Sequence, residues 1–95
     1  FGEGDEAMRA MAARQRTIRR GRWKLTVDEA GEHELYDLRD DPAEQRNLLY
    51  AGPKRQPSSE ALAATGDLWE RLRAWQERTA DSVTLPEPTP WGPGG

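Results

Sequence analysis

The residue types that could support catalysis are few and scattered in this chain. The single histidine, His33, lies beside a predicted turn, and there is no cysteine. A lone imidazole in such a place is typically a solvated strand residue, and a metal site needs several converging ligands. Ser58, Ser59 and Ser82 have no base nearby in the sequence, and there is no glycine-rich phosphate loop. We therefore predict no catalytic, metal or cofactor site within these 95 residues.

Positive charge is concentrated in one part of the chain, although the formal net charge is −3. Residues 9–24 contain no acid and seven bases, which are Arg9, Arg14, Arg16, Arg19, Arg20, Arg22 and Lys24. Such a stretch is typical of surfaces that bind nucleic acid or a sulfated or phosphorylated ligand. The alternative is a solvated strand whose bases pair with the 17 acids found elsewhere in the chain.

The elements that would position these bases begin with two predicted strands. Trp23, Leu25 and Val27 alternate with polar residues, which is typical of a half-buried strand, and we place this strand at residues 22–28. Residues 15–20 are predicted to form the neighbouring antiparallel strand.

A further strand is predicted at residues 33–38, after a polar turn that contains Gly31. In this strand Tyr36 and Leu38 are expected on one face and Leu35 on the other. The three strands then form an antiparallel meander, which an apolar face and a covering helix can stabilise.

The segment after this meander carries a helix-start pattern, Asp41-Pro42-Ala43-Glu44. Asp41 is predicted to be the N-cap, with Pro42 at the first helical position and Glu44 bonding back to the cap amide. We expect a short helical turn over residues 42–46 that ends near Asn47 and Leu48. The adjacent acids Asp40 and Asp41 are therefore better explained by capping than by paired-carboxylate catalysis.

One long helix is predicted at residues 60–79, capped by Ser58 or Ser59. Its apolar stripe consists of Leu62, Leu68, Trp69, Leu72 and Trp75. The two tryptophans are expected to be core residues; the alternative is a platform for stacking a ligand. Gly66 either weakens this helix or lets it approach the sheet closely.

Together these elements predict an α+β domain at residues 14–79, with a small antiparallel sheet of three or more strands packed against one C-terminal helix. Residues 1–13 are expected to be the lead-in from a preceding element, and residues 80–95, rich in proline and glycine, a disordered or extended tail. Apolar residues make up 35% of the chain, so the core should be thin and dependent on a partner surface. No apolar run approaches the ~18 residues of a membrane span.

Three segments carry a resemblance to a known family. They are R-x-G-R-W-K-L at Arg19–Leu25, E-L-Y-D-L at Glu34–Leu38 and D-P-x-E-x-x-N-L at Asp41–Leu48. In this order and spacing they resemble the C-terminal subdomain of sulfatases of the arylsulfatase, choline-sulfatase and heparan N-sulfatase type. The helix containing Leu68-Trp69-Glu70-Arg71-Leu72 also resembles the closing helix of that subdomain, so the resemblance covers about residues 14–79.

The resemblance implies an alkaline-phosphatase-like sulfatase, a hydrolase of sulfuric esters, whose large α/β domain precedes this subdomain. That domain would hold a formylglycine, made from a C/S-x-P-x-R motif, and calcium. The present sequence has no such motif, so no catalytic or metal-binding residue is assigned to it. What the resemblance assigns here is architectural: Trp23, Tyr36, Leu38, Asp41, Pro42, Glu44, Asn47, Leu48, Trp69, Leu72 and Trp75.

The resulting functional hypothesis is that the subdomain braces the catalytic domain of the same chain, which would act on a sulfated small molecule or glycan. Arg19, Arg20 and Arg22 are candidates for steering this anionic substrate. One alternative is a basic hairpin that binds nucleic acid, but the alternation of Trp23 with apolar residues favours a core face over base stacking. Another alternative is the same subdomain in a related phosphodiesterase. We expect neither a nucleic-acid partner nor a membrane.

Overall fold

The computed structural model describes residues 7–10, 15–52 and 56–92. Four antiparallel strands form one sheet in the order β1-β2-β3-β4, and one helix covers a face of it. The elements are β1 Ala7–Ala10, β2 Gln15–Arg20, β3 Trp23–Asp28, β4 Glu34–Asp37 and α1 Ser59–Thr79. The protein is therefore a small α+β fold with an antiparallel sheet packed against a single helix.

Strand β1 differs from the sequence-based expectation. Residues 1–13 were expected to be the lead-in from a preceding element, whereas Ala7–Ala10 pairs with Arg16–Arg19 of β2. The sequence Ala-Met-Arg-Ala lacks the alternation that marks a strand. Pairing with the neighbouring strand, which local propensity does not reveal, decides its conformation.

The register of the sheet places the central apolar residues in one layer. Ile18 of β2 is opposite Leu25 of β3, which is opposite Leu35 of β4. These side chains join residues of α1 in a single core, whose buried hydrophobic members are Ile18, Leu25, Val27, Leu35, Leu49, Ala61, Leu68, Leu72 and Leu85. Burial of each large side chain contributes about 2 kcal/mol before the entropy cost of ordering it.

Tyr36 lies on the opposite face of the sheet from Leu35 and this core, as predicted. It is opposite Lys24, and its half-buried hydroxyl donates a hydrogen bond of 2.8 Å to Glu34. The residue that points into the core is Leu35, and Leu38 follows the end of β4. A short strand with apolar residues at adjacent positions does not indicate which face is buried.

Helix α1 begins and ends with identifiable caps. The Ser58 hydroxyl accepts a hydrogen bond of 3.1 Å from the Ala61 N–H, and Ala80 adopts the left-handed conformation at the other end. Leu68 and Leu72 are buried as predicted, and Trp69 and Trp75 pack half-buried against the core. Both tryptophans therefore belong to the packing of the helix on the sheet.

Two expectations for this helix were wrong. Leu62 is 44% exposed, because it lies at the edge of the predicted stripe, away from the sheet. Gly66 is exposed, and a β-carbon placed on it would meet no atom within 4 Å. Gly66 therefore does not permit a close approach of the helix to the sheet.

The Asp41–Leu48 segment is a turn rather than the predicted helical turn. Residues 42–43 form a turn, and Glu44 has φ +56°, which interrupts any helix. The Asp41 carboxylate does accept hydrogen bonds from free N–H groups, those of Gln45 at 3.0 Å and Arg46 at 2.8 Å. Glu44 does not bond back to the cap; its carboxylate binds Lys24 of β3 at 2.8 Å.

Residues 81–92 form an extended strap, which was one of the two expected alternatives, and this strap packs against the domain. Leu85 is buried at 9% exposure. Near the far end, the Trp91 N–H donates to the Leu49 carbonyl at 2.9 Å, and the Ala51 N–H donates to the Trp91 carbonyl. Gly92 is required there, because a β-carbon would lie 1.7 Å from the Ala51 oxygen.

Candidate functional site

Arg22 joins three elements at one end of the sheet. Its guanidinium donates two hydrogen bonds to the carboxylate of Asp37 at the end of β4, one of them 2.9 Å from Nε to Oδ1. Carboxylate oxygens of Asp40 and Glu60 lie 3.8 and 3.6 Å from the same guanidinium. Its central carbon is 4.8 Å from the centre of the Trp23 ring. Arg22 thus connects the β2–β3 turn, the end of β4 and the start of α1.

Arg22 and Asp37 both remain charged at neutral pH. The hydrogen bond from Arg22 lowers the pKa of Asp37, and the Arg39 N–H donates a further bond of 3.1 Å to this carboxylate. The same contact raises the pKa of Arg22. Asp37 is buried, and a buried carboxylate without such a partner would be strongly unfavourable.

A groove of about 610 Å³ opens beside this pair. Trp23 and Leu48 form its apolar wall. Its charged residues are Arg22, Arg46, Asp37, Asp40, Asp41 and Glu60. Four carboxylates against two guanidinium groups make the groove acidic on balance, which does not suit an anionic sulfate ester.

The three arginines proposed to steer a substrate do not form one cluster. Arg22 is held among carboxylates, whereas Arg19 and Arg20 are exposed at the end of β2. Arg19 is opposite Lys24 and Arg20 is opposite Trp23, so the two side chains leave opposite faces of the sheet. Of these three arginines, only Arg19 and Arg20 have the exposure that steering of a ligand requires.

Asn47 fixes the Asp41–Leu48 segment to the free edge of β4. Its Oδ1 accepts hydrogen bonds from the N–H groups of Leu35 and Leu49, both at 3.0 Å. Its Nδ2 donates to the His33 carbonyl at 3.0 Å. The Leu48 N–H adds a backbone bond of 2.8 Å to the Leu35 carbonyl. This asparagine therefore substitutes for part of a fifth strand, which explains its place in the D-P-x-E-x-x-N-L pattern.

His33 is buried at 2% exposure, although a solvated strand residue was expected. Its Nδ1 accepts a hydrogen bond of 3.1 Å from the Asp28 N–H, so the ring is neutral with its proton on Nε2. Burial lowers the pKa of this imidazole. Its carbonyl also accepts a bond of 2.7 Å from the Trp91 indole N–H. His33 is thus a structural junction between the hairpin, the Asn47 segment and the strap.

The sequence analysis predicted no structural contacts for Asp37, His33 and Trp91. The sequence did contain a signal for the role of Asp37. Asp37 lies two residues after the buried Leu35 and is therefore on the core face, where a carboxylate needs a cation. His33 and Trp91, which are joined by a hydrogen bond, are 58 residues apart in the chain. No local pattern could have indicated that contact.

The described part of the chain contains no group of three or more His, Cys, Asp or Glu placed to hold a metal ion. No residue described here therefore fits the calcium that the resemblance implies. Among the same residues, no helix has the length and apolar character needed to cross a membrane.

Comparison of the chain with protein-family models, with curated proteins and with solved structures found no match. The assignment of function therefore depends on the residues and geometry described above.

Proposed function

We propose that this chain is the C-terminal subdomain of a sulfatase, a hydrolase of sulfuric esters, and that it braces the catalytic domain of the same protein. The proposal begins from the three segments that resemble this subdomain in sulfatases. Its catalytic chemistry would come from a formylglycine and calcium in that other domain. No residue described here has a role in bond cleavage.

The observation that carries the proposal is that the three resembling segments bind one another. Arg22, from the first segment, binds Asp37 of the second. Asn47, from the third, binds the backbone of Leu35 in the second. A chance resemblance in three separate stretches would not require these particular side chains to be mutual partners.

The size of the core supports a bracing role. Nine hydrophobic residues are buried in the part of the chain that the structure describes, and all four tryptophans, Trp23, Trp69, Trp75 and Trp91, are only half-buried on the surface of that core. A domain of this size is marginally stable when isolated, so a docked neighbour would add stability. Bracing requires only that such a neighbour cover part of this surface.

Arg19 and Arg20 are the residues that we propose for steering a sulfate ester toward the enzyme. Both are exposed, and β2 carries no acid that could neutralise them. We do not propose this role for Arg22, because its charge is compensated by Asp37 and by the neighbouring Asp40 and Glu60.

The experiment is to express the complete reading frame that encodes this chain, together with a formylglycine-generating enzyme, and to assay an aryl sulfate and an aryl phosphodiester. The proposal expects a C/S-x-P-x-R motif upstream and sulfate-ester hydrolysis that is lost when the Cys or Ser of the motif is changed to Ala. Hydrolysis of the phosphodiester alone would assign the subdomain to the related phosphodiesterases. A frame that lacks the motif and hydrolyses neither substrate would contradict the proposal.

A gel-shift assay at two salt concentrations tests the nucleic-acid alternative. The bracing proposal expects no retained band with labelled DNA or RNA. A band that weakens steeply with salt, and that is lost in an Arg19→Ala/Arg20→Ala variant, would favour nucleic-acid binding instead.

A further inference from the structure

The strap at residues 81–92 is attached at its far end to a residue that can take up a proton. The Trp91 indole N–H donates to the carbonyl of His33, and the imidazole of the same residue is buried. The Trp91 ring also packs edge-on against Tyr50, with ring centres 5.0 Å apart. His33 thus binds the tip of the β3–β4 hairpin and the Trp91 indole, while two backbone hydrogen bonds, to Leu49 and from Ala51, also hold this end of the strap.

The hydrogen bond at Nδ1 makes this junction sensitive to protonation. The Asp28 N–H points at the Nδ1 lone pair from 3.1 Å. A proton on Nδ1 would place two N–H groups against each other and leave the Asp28 N–H without its acceptor. The resulting imidazolium would also be almost fully buried.

The groups that face His33 offer little compensation for a positive charge. The hairpin carboxylate that acts on the His33 imidazole is that of Asp28, and its negative charge favours the protonated ring. That carboxylate already accepts hydrogen bonds from Gln15 at 2.9 Å and from the Ala30 N–H at 2.8 Å. The Asn47 segment and the strap meet His33 through neutral groups, an amide and an indole.

We propose that His33 is an acid-sensitive latch: protonation of its buried imidazole displaces the residues 28–33 loop and releases the Trp91 indole, which weakens the attachment of the strap. The loop must move because the Nδ1 contact becomes repulsive. The His33 carbonyl moves with it, and this carbonyl is the acceptor for the Trp91 indole. Release increases the exposure of Tyr50, which is already 39% exposed, and of the half-buried Trp91 ring, while the helix and sheet remain folded. The inference does not depend on the sulfatase proposal.

The direction of the pH effect follows from burial. Because burial lowers the pKa of His33 below the ordinary value of 6.5, the folded protein binds this proton less readily than the free side chain does. The strap is therefore fully docked above pH 6.5 and is released as the pH falls through the lowered pKa. The ratio of released to docked strap rises by up to about tenfold for each pH unit between the pKa of the free side chain and the lowered pKa, since one proton is taken up, and it levels off below the lowered pKa.

The experiment is a pH titration of the chain, followed through the four tryptophan indole N–H signals in a ¹⁵N NMR spectrum. A Trp91→Phe variant assigns the Trp91 signal. We expect that signal to move to the position of a solvated indole in one step below pH 6.5, while the Trp69 signal stays at its folded position. The ¹⁵N shifts of the imidazole report the protonation of His33 directly, and their midpoint should coincide with that of Trp91.

Two variants test the mechanism. In His33→Asn the side-chain Oδ1 stands where Nδ1 stood and can accept the Asp28 N–H but does not titrate, so the Trp91 signal should stay at its docked position throughout. Gly92→Ala places a β-carbon against the Ala51 oxygen and should show the released signal even at neutral pH. Gly92→Ala therefore defines the signal of a released strap.

Three results would overturn the latch. One is a Trp91 signal that does not move until all four indoles move together, which would indicate global unfolding. Another is an unchanged pH step in His33→Asn, which would assign the step to another group. If that variant does not fold, a difference between the His33 and Trp91 midpoints in the unmodified chain would be equally decisive.

Discussion

Arg16 of β2 and Asp81, which follows helix α1, form a two-point ion pair. Arg16 Nε donates to Asp81 Oδ2 and Arg16 Nη2 donates to Asp81 Oδ1, each at 2.8 Å, and both side chains are about nine-tenths buried. The pair joins residues 65 positions apart in the chain and fixes the end of the helix to the sheet. Because charge-assisted hydrogen bonds of this kind are strong, we expect the pair to have a large effect on the stability of the protein in acid.

The first prediction concerns that acid stability. The hydrogen bond from Arg16 lowers the pKa of Asp81 from 3.8 to about 2. Its stabilising contribution is therefore complete above pH 3.8 and is lost as the pH falls toward 2, a loss of about 2 kcal/mol. Urea unfolding of the chain across this range should show a steeper decline in the free energy of unfolding than the same titration of Asp81→Asn. Equal slopes in the two proteins would show that the pair contributes nothing.

The second prediction compares two leucines of the same helix. Leu72 is fully buried, so Leu72→Ala should lower the free energy of unfolding by about 3 kcal/mol. Leu62 is 44% exposed, so Leu62→Ala should change it by less than about 0.5 kcal/mol. Thermal or urea unfolding measures both. Similar losses in the two variants would mean that the helix packs on a different face.

The third prediction is that Gly66→Ala stabilises the protein. The position lies within α1, is exposed and leaves open space for a methyl group. Alanine should therefore raise the free energy of unfolding by up to about 1 kcal/mol, because it reduces the entropy cost of forming the helix. A lower free energy of unfolding in this variant would restore the view that Gly66 allows a close contact.

The fourth prediction concerns Asn47. Asn47→Ala removes three hydrogen bonds to backbone groups and should lower the free energy of unfolding by about 2 kcal/mol. Gln45→Ala is the matched control, since Gln45 is exposed on the same segment and should have an effect close to zero. If the two variants unfold at the same urea concentration, Asn47 does not anchor the segment.

The fifth prediction depends on the sulfatase proposal and uses the complete enzyme. Arg19→Ala/Arg20→Ala should raise KM for a sulfate ester by roughly tenfold at low ionic strength, with little change in kcat, and should weaken its salt dependence. Arg39→Ala/Arg78→Ala removes the same charge from other exposed positions and should have a smaller effect. Unchanged kinetics in the first variant would end the steering hypothesis but would leave the bracing hypothesis intact.

The elements that could be predicted are those whose signal is local. The alternation of Trp23, Leu25 and Val27 indicated β3, and a serine followed by an apolar stripe indicated helix α1. Residues 15–20 form β2 with the predicted bounds. For β3 and α1 the apolar periodicity is present within one segment, whereas β2 was predicted as the antiparallel neighbour of β3.

What could not be predicted depends on contacts between distant segments. The pattern around Asp41 is compatible with a helix, but the positive φ of Glu44 and its ion pair with Lys24 produce a turn. The burial of His33 comes from packing that the hairpin sequence does not reveal. The docking of Trp91 likewise depends on carbonyl groups that become available only after the hairpin and the Asn47 segment have formed.

The strap also has a consequence for the order of assembly. Strands β2 and β3 are joined by a two-residue turn, so their pairing closes a very short loop, whereas the Trp91–His33 contact closes one of 58 residues. Longer loops cost more entropy to close, and this one has no acceptor until the hairpin exists. Refolding should therefore proceed from the meander to the helix and only then to the strap, so that the indole of Trp91 is the last to leave water.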